Sequence, residues 1–264
     1  MSPPWLYAPE LRVGLSALPP DEARHARQVL RCRPGDAVVL FDGRGNWGAG
    51  VVVESPEDST AKVSPRKRRD AQCAARVTAV YHTPPPRCRL TLITAACKGP
   101  RLDYLVEKAT ELGVDRLLVA TFERSVVRLD FEHADRLLAT ALAACKQAGR
   151  ARLPEVRTGL SLHEAVEAAR SSRLLVADPS NESIPAARLL DETQAAGGDA
   201  AAIIGPEGGI SPTERVWLDE LGATRAWLGR FILRVETAAV AVAACWAASS
   251  VPLESSSESR PGAS

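Results

Sequence analysis

Residues 202–244 read AIIGPEGGISPTERVWLDELGATRAWLGRFILRVETAAVAVAA, and two segments within them resist regular secondary structure. Gly205-Pro206-Glu207-Gly208-Gly209 follows the apolar run 201–204, a pattern that predicts a short buried strand opening into a glycine turn. The turn feeds a helix. Ser211 suits the N-cap, Pro212 the first helical position, and Glu214 completes an S-x-x-E capping box, so a helix is expected over 212–221, ended by Gly222. A second apolar run, 225–228, meets the loop Gly229-Arg230-Phe231-Ile232-Leu233-Arg234, after which the alanine-rich segment 236–248 is helical by propensity. Two strand ends thus carry two loops, each entering a helix.

In an open α/β sheet, ligands sit beyond the carboxyl ends of the strands, where loops expose main-chain groups. Three glycines in five positions let a ligand approach the backbone, which points to a main-chain-lined pocket. Phosphate fits it poorly: the turn matches neither G-x-x-x-x-G-K-[ST] nor G-x-G-x-x-G, and Glu207 would repel an anion at the helix start. A ligand with an apolar or cationic part fits better.

The pair IIGPEGGISPTE and LGRFILRVETA closely resembles the two cofactor-loop motifs of the SPOUT methyltransferases and, within them, the RsmE family, which methylates N3 of a uridine in 16S ribosomal RNA. The resemblance implies an α/β, SPOUT-type trefoil-knotted, mostly parallel sheet with an amino-terminal PUA-like β-barrel domain. It further implies S-adenosylmethionine bound through Ile204, Gly205, Pro206, Glu207, Gly208, Leu228, Gly229, Ile232, Leu233 and Ala238, and a homodimer whose sites are completed across subunits. Within that frame Arg234 is the candidate for stabilising charge on the uridine, and Glu236 is read as catalytic, as a loop buttress or as a helix cap. Two other readings are an RNA-binding protein of this fold without catalysis, and a methyltransferase with another RNA target.

The rest of the chain sets bounds. Its 264 residues are 45% hydrophobic and 25% charged, and no apolar run reaches the roughly 20 residues of a membrane span. The start MSPPWLYAPELR has neither a basic nor an apolar leader segment, so cytoplasmic residence is expected. Six cysteines without a C-x-x-C and four histidines without ligand spacing lead us to infer no structural metal. Net charge is +1, yet Lys62, Arg66, Lys67, Arg68 and Arg69 cluster without an acid, and Arg24, Arg27, Arg31 and Arg33 add positive charge.

Residues 1–72 are expected to form the small barrel, with a helix through 23–31 and strands at 37–41, 48–54 and 61–64. HARQVLRCRPGDAVVLFDGRG (25–45) resembles the family's PUA-like domain, which makes Arg24, Arg27 and Arg31 candidates for RNA contact. From residue 73 to 251, strands and helices are expected to alternate: strands at 76–82, 89–96, 116–121 and 173–177, helices at 101–113, 131–147 and 164–170. CKGPRLDYLVEKATELGV and AACKQAGRARLPEV are similar to further family segments and add Lys98, Arg101 and Arg150 as candidates near RNA or a partner subunit. Lys146 stands where the family usually has glutamate. The apolar face Ala238, Ala241, Val242, Cys245 and Trp246 suits either an interface or a core. Residues 252–264, rich in serine, are expected to be a disordered tail.

Overall fold

A computed structural model describes residues 2–54, 73–180 and 183–249. The basic run 62–69, the expected strand 61–64 and the tail 252–264 lie outside them. The chain divides into two compact units: the described residues up to Pro85 together with Cys145–Leu153, and Pro86–Ala144 together with the described residues from Pro154 onward.

The first unit is a six-stranded mixed sheet. Strands β1 (Trp5–Tyr7), β2 (Gly14–Ala17), β3 (Ala37–Phe41), β4 (Asn46–Glu54) and β5 (Cys73–Val77) lie in the order β1-β3-β4-β5-β2, with β6 (Tyr81–His82) paired to β4. β1 runs parallel to β3 and the other pairings are antiparallel. Among the described residues no pairing closes this sheet into a barrel. Helix α1 (Pro20–Arg24) continues as a π-helical turn, His25–Val29, and packs Ala23 and Ala26 against Leu6, Val38, Leu40, Val52, Ala75 and Val77.

The expected boundary at residue 72 and the strand at 76–82 are corrected here. Cys73–Val77 bonds to β4 and β2, and Cys73, Ala75 and Val77 bury in the first unit's core, so the small unit extends past 72. β1 and β2 were missed because each is too short to show a period-2 pattern.

Lys146, the departure from the family pattern, lies in the first unit. Its Nζ sits 3.1 and 3.0 Å from the two carboxylate oxygens of Glu22, which also accepts the Tyr7 N–H at 3.2 Å. The side chains are only 18% and 8% exposed, so neither charge is well hydrated without the other. The lysine therefore acts as a counterion holding α1 to the end of α3 (His133–Ala148).

The second unit is a seven-stranded sheet in the order β11-β13-β10-β12-β7-β8-β9, and every pairing in it is parallel. Its strands are β7 (Leu90–Ala95), β8 (Arg116–Thr121), β9 (Glu155–Ser161), β10 (Arg173–Ala177), β11 (Ile184–Pro185), β12 (Ala200–Ile204) and β13 (Thr224–Trp227). Buried on both faces, the central strands read as continuous apolar runs, and alternate residues serve opposite layers. Ala200, Ala202 and Ile204 of β12 face α2 (Pro100–Glu111), α3, α5 (Ala186–Ala195) and α7 (Val235–Ser249). Ala201 and Ile203 face α4 (Leu162–Ala168) and α6 (Pro212–Glu220).

The strands expected at 116–121 and 173–177 match β8 and β10, while β9, β11 and α5 carried too little pattern to be read. Helix α4 starts two residues before its expected position because Ser161 and Glu164 form a capping box. Ala238, Val242 and Trp246 of the last helix are buried in the core cluster, while Ala241 and Cys245 of the same face are only partly buried.

Lys146→Glu sets two carboxylates against each other and is expected to cost about 3 kcal/mol. Adding Glu22→Lys should recover part of that loss, since a lysine there restores the ion pair but cannot accept the Tyr7 N–H. Urea unfolding of the single and double variants measures both changes.

Candidate active site

A wholly parallel sheet puts the carboxyl ends of its strands at one edge. There the glycine turn follows β12, the second loop follows β13, and Cys97 through Gly99 lead from β7 into α2.

The turn is held from below. Gly209 N–H donates to the Pro206 carbonyl at 2.8 Å, with Gly209 at a φ of +74° that disfavours other residues. The capping box anticipated at Ser211 and Glu214 is present, and Glu214 does more than cap. Its buried carboxylate accepts Ser211 N–H at 2.9 Å through Oε2 and Glu123 N–H at 2.8 Å through Oε1, joining the start of α6 to the loop after β8. The same loop reaches the turn again, as Arg124 Nη1 donates to the Gly208 carbonyl at 3.1 Å. A Cβ at Gly205 would lie 2.7 Å from Ile210 Cγ1 and would force Ile210 to shift, while one at Gly208 would lie 3.2 Å from Arg124 Cβ and would press on Arg124.

Asp178, which sequence reading left outside the site, braces the region. It is buried at the end of β10, ion-paired with Arg215 of α6, and accepts Ser180 N–H at 2.9 Å, while its own N–H bonds the Ala226 carbonyl of β13 at 3.0 Å. Burial pushes its carboxyl upward, but the Ser180 N–H and the Arg215 guanidinium outweigh burial and hold it below the ordinary value.

In the second loop Leu228 and Leu233 pack against the core, while Phe231 and Ile232 are 75% and 89% exposed. Ala238 is buried in the first turn of α7, its N–H bonded to the Arg234 carbonyl at 2.8 Å. Arg234 is exposed and has no ion-pair partner among the described residues.

Glu236 does not pair with Arg234, two residues away. Its Oε1 lies 3.8 Å from Nη1 of Arg101, and the same nitrogen is 3.7 Å from Oε1 of Glu207. Arg101, read from sequence as a candidate for RNA or a partner, thus bridges the two loops. The Cys97 thiol shares this cluster and is pushed up to about 12, first by burial and then by the Glu236 and Glu207 carboxylates, with Arg101 pulling the other way. It stays neutral. Glu236 is 6% exposed, and its Oε2 is buried without a hydrogen-bond partner among the described residues.

No other candidate forms an ion pair with this cluster among the described residues, although the Lys98 carbonyl accepts Arg101 Nε at 3.4 Å. Lys98 is exposed just before α2. In the first unit Arg24 pairs with Asp21 at 3.2 Å, Arg31 is exposed with a φ of 58°, Arg27 engages the Cys73 thiol, and Arg150 follows Gly149, with its N–H on the Cys145 carbonyl at 3.0 Å.

Residues 84–247 match the family model of an RNA methyltransferase domain, and residues 18–64 that of an RNA methyltransferase PUA domain. A ribosomal RNA small subunit methyltransferase E of Mycobacterium bovis is 33% identical over 229 residues, covering 83% of this chain and 80% of the relative. The chain belongs to the ribosomal RNA small subunit methyltransferase E family. Among solved structures, the methyltransferase E of Neisseria gonorrhoeae bound to S-adenosylmethionine superposes with a TM-score of 0.76 at 29% identity, covering 92% of this chain and 95% of that one. A Legionella pneumophila structure in complex with the bound cofactor SAM gives 0.75 at 27% identity, covering 94% and 98%. The fold is of the SPOUT type with an amino-terminal PUA-like domain.

Within this family frame, sequence reading missed Cys97, Glu123, Arg124 and Asp178. Each reaches the site from a strand end whose place in the sheet the sequence does not reveal.

Asp178→Asn removes the buried charge opposite Arg215 and is expected to cost about 2 kcal/mol at neutral pH. Because the folded carboxyl is depressed, its contribution is present above the unfolded value of 3.8 and is lost as pH falls through the folded one. Wild type and variant should therefore converge in acid, as denaturation midpoints measured across pH will test.

Proposed function

We propose that this protein is an S-adenosylmethionine-dependent methyltransferase that modifies N3 of a uridine in 16S ribosomal RNA of the small subunit, and that it works as a homodimer. The carrying observation is the convergence of two constrained loops on a carboxylate-rich cluster that retains a buried oxygen unpartnered among the described residues. Family membership and the S-adenosylmethionine bound to relatives support the same reading.

The residues present fit the cofactor. Glu207 and Glu236 carry two negative charges, Arg101 one positive, and the Cys97 thiol none, so the cluster has a surplus of one negative charge. S-adenosylmethionine carries a net positive charge. The main chain at Ile204, Gly205, Pro206, Glu207 and Gly208, with that at Leu228, Gly229, Ile232 and Leu233 and the buried Ala238, would hold it. When bound, it supplies an electrophilic methyl group, so the protein's task is alignment and exclusion of water.

Uridine N3 carries a weakly acidic proton that leaves before or during attack, spreading charge over O2 and O4. Arg234, exposed and unpaired among the described residues, is the cation we assign to that charge. Glu236, buried and held by Arg101, acts from beneath the loop. Exposed Phe231 and Ile232 offer apolar surface for a second subunit. Arg24, Arg31, Lys98 and Arg150 are assigned to RNA phosphates; Arg27 braces its own sheet.

Incubating the protein with labelled S-adenosylmethionine and unmodified small subunits should yield 3-methyluridine on nucleoside mass analysis. A different methylated nucleoside would overturn the target, and absence of label the activity. Arg234→Ala should reduce turnover about 100-fold with RNA binding intact. Gly208→Val, pressing on Arg124, should abolish cofactor binding by calorimetry while circular dichroism stays native.

A further inference from the structure

Glu236 is a buried carboxylate at the start of α7 with one oxygen accounted for and one not. Arg101 approaches Oε1 at 3.8 Å and is shared with Glu207 Oε1 at 3.7 Å. Both separations exceed the 2.7–2.9 Å of a charge-assisted hydrogen bond, so a single guanidinium satisfies neither carboxylate fully. Oε2 has no partner among the described residues although the side chain is more than nine-tenths buried. Leaving a buried acceptor unmade is costly, and more so for a charged one, so such an orphan beneath the two loops marks a missing partner.

We propose that Glu236 Oε2 is the docking point for a cationic group of the nucleoside cofactor, making it a residue that selects ligands carrying that cation over neutral nucleosides. The inference rests on the methyltransferase reading and deepens it. Nearby groups do not take the role. The Cys97 thiol hydrogen-bonds Glu236 but, being neutral, brings no compensating charge; Arg101 is already divided between two carboxylates, and Arg234 is exposed with no ion pair to Glu236 among the described residues. S-adenosylmethionine has two candidate cations, the ammonium and the sulfonium. S-adenosylhomocysteine keeps only the ammonium, and 5′-methylthioadenosine has neither.

Calorimetry with these three ligands on wild type, Glu236→Gln and Glu207→Gln tests the proposal, and thermal unfolding checks that each variant is folded. Glu236→Gln should weaken S-adenosylmethionine by about tenfold or more and leave 5′-methylthioadenosine unchanged. Equal loss for S-adenosylhomocysteine supports docking of the ammonium, and loss confined to S-adenosylmethionine supports the sulfonium. Glu207→Gln removes the same charge from a half-exposed position and should cost less than about fivefold. Unchanged affinity in Glu236→Gln, equal weakening of all three ligands, or equal effects of the two variants would overturn the proposal. Wild type that binds none of the three would overturn the methyltransferase reading as well.

Discussion

The carboxylate of Glu214 is the contact on which the site depends. One oxygen closes the capping box that starts α6, and the other accepts the main chain of Glu123 from the loop after β8. A glycine turn alone has many conformations available, since glycine loses more freedom on ordering than any other residue. Here the turn is confined between Ile204, fixed in the central strand, and Ser211, fixed by that carboxylate. Gly205 and Gly208 then approach Ile210 and Arg124 so closely that a side chain at either would displace its neighbour. A flexible sequence becomes a shaped cradle because both of its ends are tied.

The second constraint is electrostatic. The parallel sheet sets β7 beside β12, which brings the start of α2 under the glycine turn, and Arg101 then faces acids from both loops. One guanidinium between two carboxylates couples the loops without neutralising them. That imbalance is what links the fold to a cationic cofactor, and it explains why a turn with an acidic residue at the helix start suits a sulfonium and not a phosphate. The first unit uses a closed pair instead: Lys146 and Glu22 neutralise one another and leave nothing for a ligand.

Much of this was legible in the sequence because it is local. The capping box, the strand before the glycine turn, β8 and β10 rest on residues within a few positions of each other, and the structure has them where the pattern puts them. The paired loop motifs also carried the family. What the sequence withheld is long-range. Glu123 meets Glu214 across 91 positions, and the bridge from Arg101 to Glu236 depends on β7 lying next to β12, which no periodicity reveals. Cys73–Val77 looks like any short apolar strand, and only its partners assign it to the first sheet. The apolar face of the last helix reads the same for a core as for an interface, and the packing places Ala238, Val242 and Trp246 of it in the core.

The central claim is that the two loops form one cradle for a sulfonium nucleoside, with its charge against the Arg101, Glu207 and Glu236 cluster. A crystal structure of the protein grown with S-adenosylmethionine tests this most directly. The account predicts density for the nucleoside along the main chain of the two loops, with a cationic atom within hydrogen-bonding or contact distance of Glu236. Density elsewhere in the chain, or a nucleoside in the cradle with its cations turned away from all three charged residues, would contradict it.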